Sequence, residues 1–308
     1  MIAKELAWVG LVSNDVEAAA TVFATHLGLP RTDLATADGP VAVFGIGRSA
    51  LAVFPSGHSM VGGDAKPGVH HIALGVDDLG EATRMAAEAN IAAAGAPGKG
   101  LGAARCVMLD RDATLGVRTY LSEPIAVARH EAGILERIDH LGVASIDVAQ
   151  DEQVFSRSLG FAVESRQTDM EVTMAVESFT SDKYGVVYHS REPEPVGGLR
   201  VCFITVGDAD LEFLANFNPR QGAQVEHGAP GNTKQDQGAI TRFVSGRGRG
   251  LHHIALKASD INATLAKLEA AGLPMIDTRG RPGSRRALIG FVHPKALGGI
   301  LMHIVERP

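Results

Sequence analysis

Cysteine is nearly missing from this chain: Cys106 and Cys202 are the only two in 308 residues. They stand far apart inside apolar runs. That excludes a disulfide framework and leaves them as small core residues of a reduced compartment. Aromatic residues reach only 5%. No apolar run approaches the roughly 20 residues that cross a bilayer. The opening MIAKELAWVG has no apolar signal core followed by a small-residue cleavage site, so a cytoplasmic location without membrane contact is expected. Positive charge is not in excess either: 29 Lys and Arg face 35 Asp and Glu, a formal charge of −6. This removes the general electrostatic case for a nucleic-acid or anionic-membrane partner. A homodimer is left open.

What is present is ordinary globular material, 45% hydrophobic and 21% charged, at a length that suits two domains. An internal repeat organises it. Ala7-Trp8-Val9-Gly10-Leu11 aligns with Asp139-His140-Leu141-Gly142-Val143, and the match continues through Asp15/Asp147, Phe23/Phe155 and Gly28/Gly160. Gly47 and Leu51 align with Gly207 and Leu211, and HHIAL at 70–74 returns at 252–256. The last strands, ending at Glu123 and Glu306, align as well. The second copy carries two insertions, one between Phe161 and Val201 and one between Glu212 and His252. The second insertion includes the Gly-rich stretches GAPGNTKQDQG and SGRGRG, read as loop. Each copy splits again into strand, helix and short alternating strands. Asp260 is placed to cap a helix whose stripe is Leu265, Leu268 and Leu273 and whose stop is Gly272. The expected division is 1–123, a linker at 124–136, and 137–308.

Twelve histidines are many for this length, and their placement matters more than their number. His140, Glu212, His253 and His303 occupy matched strand positions in the second copy. The same four places in the first copy hold Trp8, Ala52, His71 and Tyr120. Imidazole nitrogen and carboxylate oxygen are the usual ligands of Zn, Fe, Mn, Co or Ni. One copy therefore has a candidate divalent-metal site and the other is expected to be metal-free. A lone strand histidine is more often a hydrogen-bonded core residue, and His70 and His71 read that way. Strand alternation would turn His252 to the opposite sheet face from His253. Glu212, if buried, needs a cation or a donor.

At these residues the chain resembles the vicinal oxygen chelate superfamily of glyoxalase I, methylmalonyl-CoA epimerase and extradiol dioxygenases. The resemblance is strongest over about 137–306, through IDHLGVAS, LRVCFITVGDADLEFL, the segment from Ile240 to Ile261 with its HHIAL core, and HPKALGG. It implies an α+β fold of tandem βαβββ modules, two glyoxalase-like domains each with a curved mixed sheet round a cleft. It also implies a metal on His140, Glu212, His253 and His303. Two departures stand out. The family's last ligand is usually a glutamate that also moves the proton, and here it is His303. The second acid–base glutamate of the epimerases falls near Arg200 or Val201, where there is no carboxylate.

Three neutral imidazoles and one carboxylate leave a divalent ion near +1, a strong Lewis acid able to chelate vicinal oxygens. The resulting expectation is an enolate- or enediolate-stabilising lyase, isomerase or epimerase acting on a 2-oxo acid, hydroxyketone or acyl thioester. His303 and Glu212 are the candidate proton carriers. An Fe(II)-dependent extradiol-type dioxygenase and a non-catalytic binding or resistance protein are the alternatives. The few aromatics argue mildly against the last. His293-Pro294-Lys295 reads as a turn. Arg242, Arg247, Arg249, Arg285 and Arg286 are read as solvated loop residues, with an anion grip as the alternative. His189 and His227 lie in the insertions, within reach of the cleft if they turn inward.

Overall fold

The structure, a computed structural model, describes residues 2–63, 65–130, 133–217 and 233–308. Its strands form two eight-stranded sheets of the same topology. Across the first sheet the order is β2 (Arg31–Thr36), β3 (Gly39–Ile46), β4 (Ser49–Pro55), β1 (Glu5–Ser13), β5 (Gly68–Gly75), β8 (Thr119–Ser122), β7 (Arg105–Met108) and β6 (Gly98–Lys99). Across the second it is β10 (Ala162–Thr173), β13 (Glu194–Val206), β14 (Ala209–Asn216), β9 (Leu135–Ser145), β15 (Gly250–Ala258), β18 (Met302–Glu306), β17 (Leu288–Val292) and β16 (Arg281–Pro282). The first insertion lengthens β10 and β13 and adds an exposed ribbon of β11 (Val176–Ser181) and β12 (Gly185–Ser190). The class is α+β, with four strand–helix–strand units.

Each unit begins with a strand that pairs in parallel with the last strand of the same unit: β1 with β4, β5 with β8, β9 with β14, and β15 with β18. First strands of neighbouring units pair antiparallel, β1 with β5 and β9 with β15. These central strands are covered on both faces and so read as near-continuous apolar runs. An aspartate caps the helix after each first strand. Asp15 precedes α1 (Val16–Thr21), Asp78 precedes α2 (Leu79–Glu88), Asp147 precedes α3 (Val148–Glu152), and Asp260 precedes α5 (Ile261–Ala270). Each accepts a backbone N–H of the first turn at 2.8–2.9 Å, a contact of typically about 1 kcal/mol. Leu265 and Leu268 are buried, and Gly272 stops α5 with φ +78°.

The Gly-rich second insertion is not all loop. Thr233–Arg247 is an α-helix, α4, lying over β9, β13, β14 and β15. Glycine disfavours helix, by about 1 kcal/mol per residue. Here burial of Ile240 against Leu199, Val201, Phe203 and Leu214, with the buried Gln237 amide donating to Asn216 and to the Phe217 carbonyl, overrides that preference.

The helix-side cores of both halves join into one apolar cluster. The turns that bring the halves together mirror each other. The β3–β4 turn at Gly47 meets Arg137 and Asp208, while the β13–β14 turn at Gly207 meets Glu5. The two concave faces differ. In the first half, Trp8, Val43, Ala52, Phe54 and Ala73 are all buried and fill the bowl. In the second, the bowl opens to a cleft of about 860 Å³ bounded by α4 and the Arg281–Ala287 segment.

Candidate metal centre

The four positions picked from the repeat share one register. His140 lies opposite Ala255, and Ala255 lies opposite His303. Gly142 lies opposite His253 on one side and Glu212 on the other. The first half repeats this arrangement with Trp8, Ala73 and Tyr120, and with Gly10 between His71 and Ala52. Side chains two residues apart share a strand face, so the four converge at the floor of the cleft. His140, Glu212, His253 and His303 are all buried.

One ligand atom from each of His140, His253 and His303 lies within 4.8 Å of the others. Nε2 of His140 is 3.2 Å from Nε2 of His303 and 3.3 Å from Oε2 of Glu212. Nε2 of His253 is 3.5 Å from the same Glu212 oxygen, and it has no hydrogen-bond partner. Separations of this size are what ligands about 2.0–2.2 Å from one ion leave between them. An orphaned buried nitrogen aimed at a carboxylate and two more imidazoles fits a divalent cation.

The charges follow from the packing. Burial alone would push the His140 imidazole down, but the carboxylates of Glu212 and Asp139 hold it up at about 9. Burial alone would raise Glu212, yet His140 and His253 keep it well below the usual carboxylate range. Burial, with His253 and His140 beside it, pushes His303 far below the ordinary histidine value. Asp139 is fully buried. It accepts from His140 Nδ1 at 2.8 Å and pairs with Arg307 and Arg137. That bond fixes the proton on Nδ1 and turns Nε2 to the cleft, a familiar arrangement behind metal-binding histidines.

The first-half counterpart is packed shut. His71 sits 4.9 Å from Trp8, 5.1 Å from Tyr120 and 5.6 Å from Phe54, ring centre to ring centre. Among the described residues, the only group of three or more ligand-type side chains close enough for an ion is in the second half.

Several readings of individual residues change. A bulge between Leu251 and His253 interrupts alternation at His252. Its ring therefore turns beside His253, with the two Nδ1 atoms 3.0 Å apart, and lines the cleft instead of facing away. His70 repeats this bulge, with its Nδ1 2.8 Å from that of His71. Both are buried and hydrogen-bonded to each other, as expected of core histidines, and Nε2 of His71 has no partner. Arg285 is no solvated loop residue. It stacks on Phe203 at 3.6 Å and pairs with Asp210 at 2.7 Å and Glu164 at 3.0 Å. Arg249 is held by Asp151 at 2.6 Å. Arg286 is exposed at the cleft wall, with φ +60°. Arg242 is exposed on α4, and Arg247 is exposed at its end. His189 packs on Phe179 in the exposed ribbon, away from the cleft lining. His227 lies outside the described residues. The HPK segment is a turn in which His293 Nδ1 caps Lys295, whose side chain is exposed.

Sequence reasoning missed Asp139, although it directly precedes His140, and the seat that Gly142 provides. It also missed four cleft carboxylates: Asp169, Glu171, Asp236 and Asp277. Asp236 comes from α4. Its side chain is 42% exposed within the cleft. Partial burial and the neighbouring carboxylates of Glu212, Asp169 and Asp277 push it up to about 6, against the pull of Arg281.

Comparison with known proteins agrees with this duplication. Models of the Glyoxalase/Bleomycin resistance protein/Dioxygenase superfamily match residues 5–114 and residues 139–291. Mitochondrial methylmalonyl-CoA epimerase of Dictyostelium discoideum is 25% identical over 130 residues, 41% of this chain and 69% of that protein. The mouse epimerase is 28% identical over 130 residues, 42% of this chain and 64% of that protein. A triple mutant of 4-hydroxymandelate synthase from Streptomyces coelicolor shares the two-domain fold. The match covers 100% of this chain and 93% of that one, with TM-score 0.65 and 16% identity.

Proposed function

The chain belongs to the glyoxalase/bleomycin resistance protein/dioxygenase superfamily, and on that premise we propose that it is a divalent-metal-dependent lyase, isomerase or epimerase. The proposed substrate is a 2-oxo acid, hydroxyketone or acyl thioester that passes through an enolate or enediolate. The observation that carries this reading is the convergence of His140, Glu212, His253 and His303 at the floor of an open cleft. These four are the proposed ligands. A divalent ion bound there, of Fe, Zn, Mn, Co or Ni type, would supply Lewis-acid polarisation of two vicinal oxygens.

The chain's own groups divide the remaining work. Asp139 holds His140 in its ligating tautomer. Phe291, Ile289 and Val305 make part of the cleft apolar and limit water around the ligands. His303 faces His140 through Nε2, and an imidazole nitrogen that is ligated cannot also accept a proton. With His303 ligated, proton transfer falls to Glu212 or to a cleft carboxylate. Asp236, with its raised pKa, is the best matched of these to work near neutral pH. Arg286 on the cleft wall offers a cation for a substrate carboxylate.

A second reading, Fe(II)-dependent oxygenation, is favoured by the donor set itself, since imidazoles with one carboxylate also suit Fe(II). The two separate in one experiment. Protein loaded in turn with Co, Zn, Mn, Ni and Fe(II) is incubated in D₂O with a panel of the three substrate classes, while oxygen is monitored. The primary reading expects deuterium at the α-carbon with no oxygen consumed, abolished by His253→Ala. Oxygen uptake with Fe(II) alone on catechols or 2-oxo acids, without exchange, would replace it by the second reading.

A further inference from the structure

The bulge before His253 sets a second imidazole behind the first. The pairing of β15 with β9 passes from Leu251 to His253 and skips His252. An extra residue of this kind bends its strand and re-aims a side chain. The His252 ring turns to the cleft, its Nδ1 3.0 Å from Nδ1 of His253 and the two rings close to perpendicular. The Phe243 ring of α4 packs edge-on against His252, 5.0 Å between ring centres. α4 is an addition of the second half: among the described residues, the first half has no helix between β4 and β5.

An imidazole that gives its Nε2 lone pair to a cation carries its proton on Nδ1, and in a buried site that proton needs an acceptor. Nε2 of His253 faces Glu212 at 3.5 Å. Its proton then belongs on Nδ1, and Nδ1 of His252 lies at hydrogen-bond distance from it. A neutral His252 that accepts there holds its own proton on Nε2. The three imidazoles of the site are held unequally. Asp139 stands behind His140 at 2.8 Å, His252 stands behind His253, and the buried Nδ1 of His303 has no partner. Carboxylates, backbone carbonyls and water are the common acceptors behind a ligating histidine. A neutral imidazole in that role adds no negative charge, so it leaves the Lewis acidity of the donor set intact. The first half supplies an internal control. Nδ1 of His70 is 2.8 Å from that of His71, yet His71 is enclosed by Trp8, Phe54 and Tyr120.

We propose that His252 is a positioning residue for the metal: it accepts the Nδ1 proton of His253 and thereby aims Nε2 of His253 into the site. The proposal rests on the metal reading of the cleft and deepens it. Two substitutions in the full chain separate the acceptor from the ring. His252→Phe keeps a ring against Phe243 and removes the acceptor. His252→Asn removes the ring and can set its Oδ1 near the position of the lost Nδ1. Competition for cobalt with a chromophoric chelator reads affinity, and circular dichroism checks the fold. Affinity should fall about 10–100-fold in His252→Phe and recover to within severalfold of wild type in His252→Asn. A role in packing alone would give the reverse order. His70→Phe should leave affinity unchanged. In zinc-loaded wild type, long-range proton–nitrogen correlation spectra should place the His253 proton on Nδ1 and the His252 proton on Nε2. Unchanged affinity in folded His252→Phe, an asparagine variant no better than the phenylalanine one, or a wild-type His252 protonated on Nδ1 would each overturn the proposal and leave the metal reading standing. Wild-type protein that takes up no ion would overturn both.

Discussion

The imidazole of His253 lies against the bare backbone of Gly142: a β-carbon built on Gly142 would fall 2.0 Å from Cε1 of the ring. Gly142 pairs with His253 on one side and with Glu212 on the other, so its bare backbone lies between the two side chains. Gly142→Ala is therefore expected to displace a proposed ligand at an overpacking cost of about 1–3 kcal/mol. The folded protein should lose stoichiometric metal, measured by elemental analysis beside circular dichroism. Gly10→Ala, which meets His71 at 2.1 Å in the other half, should cost similar stability and keep the metal. Full metal content in folded Gly142→Ala would contradict the seating argument.

Asp139 touches the proposed ion only through His140. Asp139→Asn should weaken metal affinity about 10–100-fold, as loss of a carboxylate behind a ligating histidine generally does. A competition titration with a chromophoric chelator reads this directly. An unchanged affinity would show that Asp139 serves only to neutralise Arg307 and Arg137.

The first half carries its own pH signature. Burial, with Arg118 and Arg111 nearby, pushes His70 down to about 4, and burial with His70 beside it pushes His71 well below its ordinary value. An unfolded histidine titrates near 6.5. Below that pH the unfolded chain binds more protons than the folded one, so stability present above about 6.5 is lost as pH falls toward 4. Trp8, the single tryptophan, packs on His71 at 4.9 Å between ring centres. Its fluorescence melting temperature should fall across this window, and His70→Asn should flatten the fall. A profile level between pH 6.5 and 4 in the wild type would contradict it.

His71 is the one ligand-type residue that survives at the four matched first-half positions, and it is enclosed by Trp8, Phe54 and Tyr120. His71→Ala should cost stability on the order of 3 kcal/mol, as other ring deletions from cores do. It should leave metal content at one ion per chain. A fall to zero would mean that the first half takes part in binding.

The duplication, the strand–helix–strand unit and the four second-half positions were legible because strand register repeats with the sequence: His140, Glu212, His253 and His303 follow from Trp8, Ala52, His71 and Tyr120 once the copies are aligned. The Asp260 cap was legible because its reach is three residues. The rest depends on contacts between distant segments. Strand alternation gave the wrong side for His252, because the bulge that turns it has no local signature. Composition gave loop for Thr233–Arg247, because the stabilising surface is a sheet face built from β9, β13, β14 and β15, which only the fold brings under it. Arg285 looked solvated because Phe203, Asp210 and Glu164, which hold it, are brought near only by the fold.

The most direct measurement is the metal content of protein purified without a histidine tag and dialysed against metal-free buffer, for wild type, His140→Ala and His253→Ala. One ion per wild-type chain and none in either folded variant is the predicted result. Wild-type protein that takes up no divalent ion, or variants that keep theirs, would contradict the convergence of these side chains on a cation.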